Sequence, residues 1–273
     1  HGDIDPCKAL MKSCNDVMMH MAADLGATRF AKYVRSFGFG SKTGIDLPGE
    51  AEGGIFSKEK LHQVELATSS FGQGQTVTMI QLASAFSAVI NGGNYYQPHV
   101  VKEINSESGA VVSSNDNTLV KRVVSEDASK LIRKYLEKTV EDDEGTASPA
   151  RVKGYVIGGK TGTAEKWPRN EGKYLVSFAG FTPTDKPELM IYVVIDEPHV
   201  SDQAHSTYAT EFASEVLKDV LPMLGIYKQT GKSDSAKKIT LPSTKKGNQL
   251  LEVPKGGFSS RTYKVAKSKK NNG

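Results

Sequence analysis

"KGYVIGGKTGTAEK", residues 153–166, fits two patterns that imply different folds. Gly154, Gly159, Lys160 and Thr161 match the phosphate-binding loop G-x-x-x-x-G-K-T. That loop needs a strand, a loop and a helix that begins at the lysine. Lys160, Thr161 and Gly162 also match K-T-G, a signature of serine enzymes that form acyl intermediates. This second pattern instead needs a strand at the edge of a sheet, facing a cleft.

The residues around Lys160 favour the strand. Tyr155, Val156 and Ile157 are strong strand formers within the supposed phosphate loop, and Gly162 and Pro168 prevent a helix after the lysine. The match to the phosphate loop is therefore accidental, and nucleotides and nucleic acids are not expected partners. On an edge strand, a substrate peptide could add as a further strand.

The chain downstream extends this strand into a sheet. Residues 173–183 and 188–198 are two more strand-like runs, and the three runs follow one another with short connections. Such spacing is typical of an antiparallel meander. Residues 205–224 then predict a closing helix. We expect an α+β fold: an antiparallel sheet of about five strands packed by helices, with a helical subregion.

The N-terminal half supplies the predicted helices. Residues 5–25 read as two helical runs that a polar break at 13–15 separates. Apolar periodicity and caps predict further helices over 27–37, 76–93 and 125–140. Residues 95–104 predict a single edge strand, whose pairing Pro98 would limit.

Charge separates the C-terminal tail from the rest of the chain. Residues 225–273 hold 12 Lys and Arg against 2 Asp and Glu, so they carry +10 although the whole 273-residue chain carries +4. Residues 1–224 are therefore acidic overall. The tail has few apolar residues and is expected to be largely disordered. It reads either as a solvated extension or as a segment attracted to an anionic surface.

Few residues suggest a metal or a disulfide. Cys7 and Cys14 are expected to be free, partly buried thiols, because no zinc-like spacing of Cys and His surrounds them. The six histidines are scattered, so we predict no metal and no cofactor. No apolar run reaches the roughly 18 residues that span a bilayer, and no signal peptide is visible. The sequence begins mid-pattern with His1, which we interpret as a piece of a longer protein.

Several stretches together carry a family resemblance. They are "SCND", "FGFGSKTGIDLPGE", "ATSSFGQGQTVTMIQLASAFSAVINGG", "GTASPARVKGYVIGGKTGTAEK" and "SFAGFTP", in this order. Over residues 1–224 the chain resembles the C-terminal part of the transpeptidase domain of class B penicillin-binding proteins, the division- and sporulation-type cell-wall enzymes. The resemblance implies the fold shared with serine β-lactamases. It also marks Lys42-Thr43-Gly44, a second K-T-G, as a loop rather than an active site.

The resemblance implies roles for six residues. The family's S-x-N motif matches Ser13-Cys14-Asn15, which makes Ser13 a proton relay to the leaving amine and Asn15 a partner of the substrate amide. Lys160 would tune the relay. Thr161, Gly162 and Thr163 would bind the substrate, and the Thr163 N–H would form half of the oxyanion hole. A second S-x-N, at residues 113–115, is interpreted as chance.

The sequence departs from the family's pattern at the nucleophile motif, S-x-x-K. It should precede S-x-N, but the three matches, at residues 57–60, 235–238 and 243–246, all follow Ser13 and are interpreted as chance. We therefore expect a transpeptidase domain that lacks its N-terminal part and is inactive alone, because acyl transfer needs the nucleophile. The alternative is a non-catalytic module of the same fold that acts as a wall-binding or divisome scaffold.

The resemblance also implies partners and a location. The expected ligands are peptidoglycan stem peptides and β-lactam antibiotics. A membrane glycosyltransferase and division or sporulation proteins are the expected protein partners. The location implied is the extracytoplasmic face of the bacterial plasma membrane, with an anchor outside this chain.

Overall fold

A computed structural model describes residues 2–228 and 263–265 of the chain. Within them the helices are α1 (Pro6–Met11), α2 (Asn15–Leu25), α3 (Ala27–Ser36), α4 (Gln63–Ser69), α5 (Met79–Ile90), α6 (Glu126–Glu141) and α7 (Thr207–Met223). The strands are β1 (Gly2–Ile4), β2 (Asn94–Tyr96), β3 (Glu103–Asn105), β4 (Val111–Ser114), β5 (Leu119–Arg122), β6 (Gly158–Glu165), β7 (Tyr174–Thr182), β8 (Leu189–Asp196) and β9 (Tyr263–Val265).

The central sheet is the antiparallel meander β6-β7-β8. Lys160 pairs with Ala179, and Ala179 pairs with Tyr192, so the three strands are in register at the lysine. Each short connection is a hairpin, as the sequence predicts. The predicted α+β fold is confirmed, and β6 is an edge strand among the described residues.

Helices cover both faces of this sheet. On one face Phe178 packs with Ile157, and with Leu217 and Leu221 of α7. On the other face Phe181 packs with residues of α5 and α6 such as Ile90 and Leu136. Alternating residues of β7 therefore enter two different apolar clusters, which is the period-two pattern of a strand buried on both sides.

Local signals fix the start of the two longest N-terminal-half helices. Ser125 caps α6 by accepting a hydrogen bond from the Ala128 N–H at 3.2 Å. Thr78 and Gln81 form a reciprocal capping box at α5. Gln81 is fully buried and also donates to the carbonyl oxygens of Ser41 and Glu52, at 2.7 and 2.9 Å. It thereby ties the long loop after α3 to the helical subregion.

The sheet is smaller than expected. Among the described residues it has three strands rather than about five, and the other strands form separate pairs: β1 with β9, β2 with β5, and β3 with β4. The predicted single strand over 95–104 is wrong. The backbone N–H groups of Val100 and Val101 donate to the Asp46 carboxylate, each at 2.8 Å, which removes them from any strand ladder.

Most of the basic tail lies outside the described residues, so its predicted disorder stays a prediction. Tyr263–Val265 are described, and they pair antiparallel with Gly2–Ile4. Within the described ranges, no helix combines the length and the apolar character needed to cross a membrane.

Candidate active site

A tight turn between α1 and α2 presents Ser13. Its φ of 52° lies in the left-handed region, which non-glycine residues rarely adopt. The turn is held by hydrogen bonds from the Ser13 N–H to the Leu10 carbonyl, at 3.2 Å, and from the Cys14 N–H to the Ala9 carbonyl, at 2.8 Å. Cys14 is buried beside Val17. The buried cysteine anchors the turn, and Ser13 remains exposed.

Lys160 of β6 meets this turn. Its Nζ donates to the Ser13 Oγ, and it lies 3.2 Å from the carbonyl oxygen and 3.3 Å from the Oγ1 of Thr161. Burial lowers the pKa of Lys160 from 10.5 to about 8. An amine with such a pKa can both hold and release a proton near neutral pH, as a relay requires. The structure thus joins Ser13 and Lys160, which sequence analysis placed in one site.

The other predicted residues lie around this contact. Asn15 is the first residue of α2 and is exposed, and within the described chain its side chain has no hydrogen-bond partner. Gly162 lies opposite Ser177 of β7. Thr163 is exposed on the edge of β6 that no other described strand pairs with. Asn15 follows Ser13 by two residues and Thr163 follows Lys160 by three, so an exposed amide and an exposed hydroxyl adjoin the pair in sequence. The roles of these residues stay predictions.

Sequence reasoning missed Thr146. Its Oγ1 lies 3.4 Å from the Thr161 Oγ1, and its N–H donates to the Met11 carbonyl at 3.3 Å. An ion pair of 3.1 Å between Lys12 and Glu144 fixes the same loop against the end of α1. The signal that could have found it is the block "GTASPAR", a conspicuous part of the stretches that carry the resemblance.

An apolar cavity of about 370 Å³ adjoins the site. Lys160, Thr161 and Gly162 form one wall. The remaining walls are mostly apolar side chains of the helices, among them Leu10, Phe37, Phe86, Val89, Ile132 and Leu136. This low-dielectric surrounding is the physical reason that the charged form of Lys160 is disfavoured.

The structure accounts for the phosphate-loop match and for the second K-T-G and S-x-N matches without a further site. Lys160 and Thr161 lie inside β6 and not at a helix start, so the phosphate loop is excluded. In the second K-T-G, the Thr43 and Gly44 N–H groups donate to the Glu50 carboxylate at 2.6 and 3.0 Å, which closes a loop. In the second S-x-N, the Asn115 side chain donates to the Val101 carbonyl at 2.8 Å and stabilises an exposed hairpin.

The one S-x-x-K match within the described chain also lacks a catalytic setting. Ser57 precedes a short 3-10 helix, Lys58–Lys60, and Lys60 is exposed. The other two matches lie outside the described residues.

Both cysteines are free, and burial raises the pKa of Cys7 to about 11, so it is a poor nucleophile. The described residues contain no group of three or more His, Cys, Asp or Glu that could hold a metal.

Comparison with known families identifies the domain. Residues 1–218 match the family described as the penicillin binding protein transpeptidase domain. The chain belongs to this family. The resemblance inferred from the motifs is thereby confirmed, and the family match covers the described body of the chain up to α7.

Relatives and solved structures agree with this assignment. The chain is 41% identical over 260 residues to stage V sporulation protein D of Bacillus subtilis, covering 93% of this chain and 39% of that protein. It is 30% identical over 197 residues to penicillin-binding protein PbpB of Mycolicibacterium smegmatis, covering 68% of this chain and 30% of the relative.

The fold is similar to that of solved transpeptidase domains. Penicillin-binding protein 3 of Mycobacterium tuberculosis in complex with ampicillin aligns with a TM-score of 0.76 at 26% identity, over 84% of this chain and 53% of that one. The apo transpeptidase domain of penicillin-binding protein 3 from Burkholderia pseudomallei gives 0.73 at 26% identity, over 82% and 66%. The chain thus spans about two fifths of its sporulation relative and half to two thirds of these structures.

Proposed function

We infer that this transpeptidase-family chain supplies the substrate-binding strand and proton relay of a peptidoglycan D,D-transpeptidase. The observation that carries this inference is the contact between Lys160 and Ser13 on β6, an edge strand among the described residues. The edge offers backbone groups to an extended peptide, and the pair offers a route for a proton. The substrates would be stem peptides, with β-lactams as competing ligands.

The reaction proceeds in two acyl transfers. A serine oxygen attacks the penultimate D-alanine carbonyl, the peptide C–N bond breaks, and an ester forms while the leaving D-alanine amine takes a proton. The amine of a second stem peptide then displaces the serine, which regains its proton. Ser13 would pass the proton to the leaving amine, and Lys160 would set the acidity of Ser13. Asn15 would hold the substrate amide.

The carboxylate and carbonyl of the substrate have separate binding groups. Thr161 and Thr163 would present hydroxyls to the terminal carboxylate, and the positive charge of Lys160 would support it. Gly162 leaves room for the peptide to approach the strand. The Thr163 N–H would stabilise the oxyanion that develops in each transfer.

The attacking serine is not assigned within the described residues. Ser13 has the proposed role of relay, and Ser57 precedes the short 3-10 helix Lys58–Lys60, whose residues are exposed. A polypeptide that contributes an S-x-x-K serine beside Lys160 is therefore needed for turnover, and this chain alone is expected to bind substrate without acylation. A cell-wall setting, on the outer face of the plasma membrane with a glycosyltransferase and division or sporulation proteins, follows from the same proposal.

Replacing the threonines tests the substrate site. Thr161→Val and Thr163→Val each remove a hydroxyl without changing shape, and each should weaken binding of a peptide ending in D-Ala-D-Ala about tenfold, since a hydrogen bond to a charged group is worth about 1.5–3 kcal/mol. Isothermal titration calorimetry measures the affinity. Thr118→Val, at an exposed threonine outside the site, is the control. Equal affinities in all four proteins would contradict the proposal.

A further inference from the structure

Trp167 is exposed although tryptophan is the side chain that gains most from burial. It is the only tryptophan of the chain, and 86% of it is accessible to solvent. It lies in the loop 166–173 that joins β6 to β7, two residues beyond the end of the strand that carries Lys160. Tryptophan is enriched at binding interfaces, where its ring offers a large apolar surface and its N–H can remain in water.

The loop that carries Trp167 is held in place. The Lys166 Nζ forms ion pairs with Asp196 at 2.8 Å and with Glu197 at 2.6 Å, both at the end of β8. On the other side of the tryptophan, the Asn170 N–H donates to the Glu165 carboxylate at 2.7 Å. The indole therefore stands on a fixed loop and requires little ordering when a ligand binds, which favours affinity.

Burial along β6 sets the direction of a bound peptide. Gly158 and Gly159, at one end of the strand, are buried, whereas Thr163 and Ala164, at the other end, are exposed. A peptide whose carboxylate meets Thr161 and Thr163 can extend only along the exposed end. It must therefore run toward Glu165 and the loop of Trp167.

The length of a stem peptide then places its sugar near this loop. The strand rises about 3.3 Å per residue, so the path from Thr161 to Glu165 is roughly 13 Å. Four extended stem-peptide residues span about 13–14 Å. The sugar that bears the peptide thus arrives at the loop 166–173.

We propose that the Trp167 ring stacks against a sugar of the peptidoglycan chain that carries the donor stem peptide. Trp167 would thus form a sugar subsite beside the peptide site. This inference rests on the proposed function. Pyranose rings present apolar C–H faces that fit an indole ring, and the hydroxyls at their rims remain in water. Arg169 is exposed two residues further on, and it has no ion pair within the described part of the chain. It adds a positive charge for the carboxylates of the stem peptide.

Intrinsic fluorescence tests the sugar subsite directly, because Trp167 is the only indole. The 273-residue chain is titrated with a soluble disaccharide-pentapeptide and, separately, with the free pentapeptide. The disaccharide-pentapeptide should bind about tenfold more tightly, as expected for about 1.4 kcal/mol from one aromatic contact. It alone should shift the emission to shorter wavelength.

Variants measured by calorimetry complete the test. Trp167→Ala should remove the tenfold preference and leave the affinity for free pentapeptide unchanged, and Trp167→Phe should retain part of the preference. Tyr227→Ala, at an aromatic residue that is 87% exposed outside this loop, is the matched control. Pentapeptide binding without a preference for the sugar would overturn the sugar subsite alone. Failure of both ligands to bind would overturn the sugar subsite and the proposed function together.

Discussion

Gly159→Ala is expected to destabilise the fold by more than about 3 kcal/mol, because it forces backbone and ring shifts in a closely packed core. A Cβ on Gly159 would lie 2.5 Å from the ring of Phe178 and 2.7 Å from the Ala179 carbonyl oxygen. Phe178 is fully buried between the sheet and α7, so neither its ring nor the Ala179 carbonyl can move aside without disturbing the core. Equilibrium unfolding in urea, followed by circular dichroism, measures the loss.

Gly162→Ala is the matched control, three residues along the same strand. A Cβ there would lie 2.6 Å from the Ser177 Oγ and 4.0 Å from the Ser177 Cβ, and the one close atom is a small hydroxyl that can rotate. We expect a loss below about 1 kcal/mol. Equal stabilities of Gly159→Ala and Gly162→Ala would show that β6 and β7 are not closely packed at Gly159.

Lys160→Met is expected to stabilise the fold at neutral pH by about 1–2 kcal/mol while it removes the relay. In the folded chain the lysine keeps its charge in a partly buried position, and burial lowers its pKa from 10.5 to about 8. Methionine occupies similar space without a charge to desolvate. Binding of a D-Ala-D-Ala peptide should fall by at least about tenfold, since its carboxylate loses the nearby cation.

The stability difference between Lys160→Met and the unsubstituted protein should depend on pH in a definite direction. Below pH 8 Lys160 is protonated in both the folded and the unfolded chain, and the cost of the buried charge is present in full. Between pH 8 and 10.5 the unfolded chain binds more protons than the folded chain, so the stability of the unsubstituted protein rises with pH. The advantage of Lys160→Met should therefore shrink across this window. Lys153→Met, at an exposed lysine, is the control.

Local chemistry made most elements predictable. The Ser125 and Thr78 caps, the break at residues 13–15 and the change from helical to strand periodicity all depend on neighbours in sequence. These signals predict where α2, α5 and α6 begin. The antiparallel meander follows from short connections, which leave no room for a crossover.

Long-range contacts account for what the sequence could not predict. The strand over 95–104 failed because Asp46, on a distant loop, captures the N–H groups of Val100 and Val101. Thr146 enters the site only because its loop is fixed to α1 by Lys12 and Glu144. Ser13 and Lys160 were paired through a family motif, since no local pattern relates residues so far apart in sequence.

Intact mass spectrometry distinguishes Ser13 as a proton relay, with a separate serine as nucleophile, from Ser13 as the nucleophile itself. The 273-residue chain is incubated with a β-lactam, and any modified residue is located by peptide mapping. We predict no covalent adduct, because Lys160 contacts Ser13 and no S-x-x-K serine of the described chain lies beside it. A stoichiometric adduct on Ser13 would contradict the account and make Ser13 and Lys160 the nucleophilic pair.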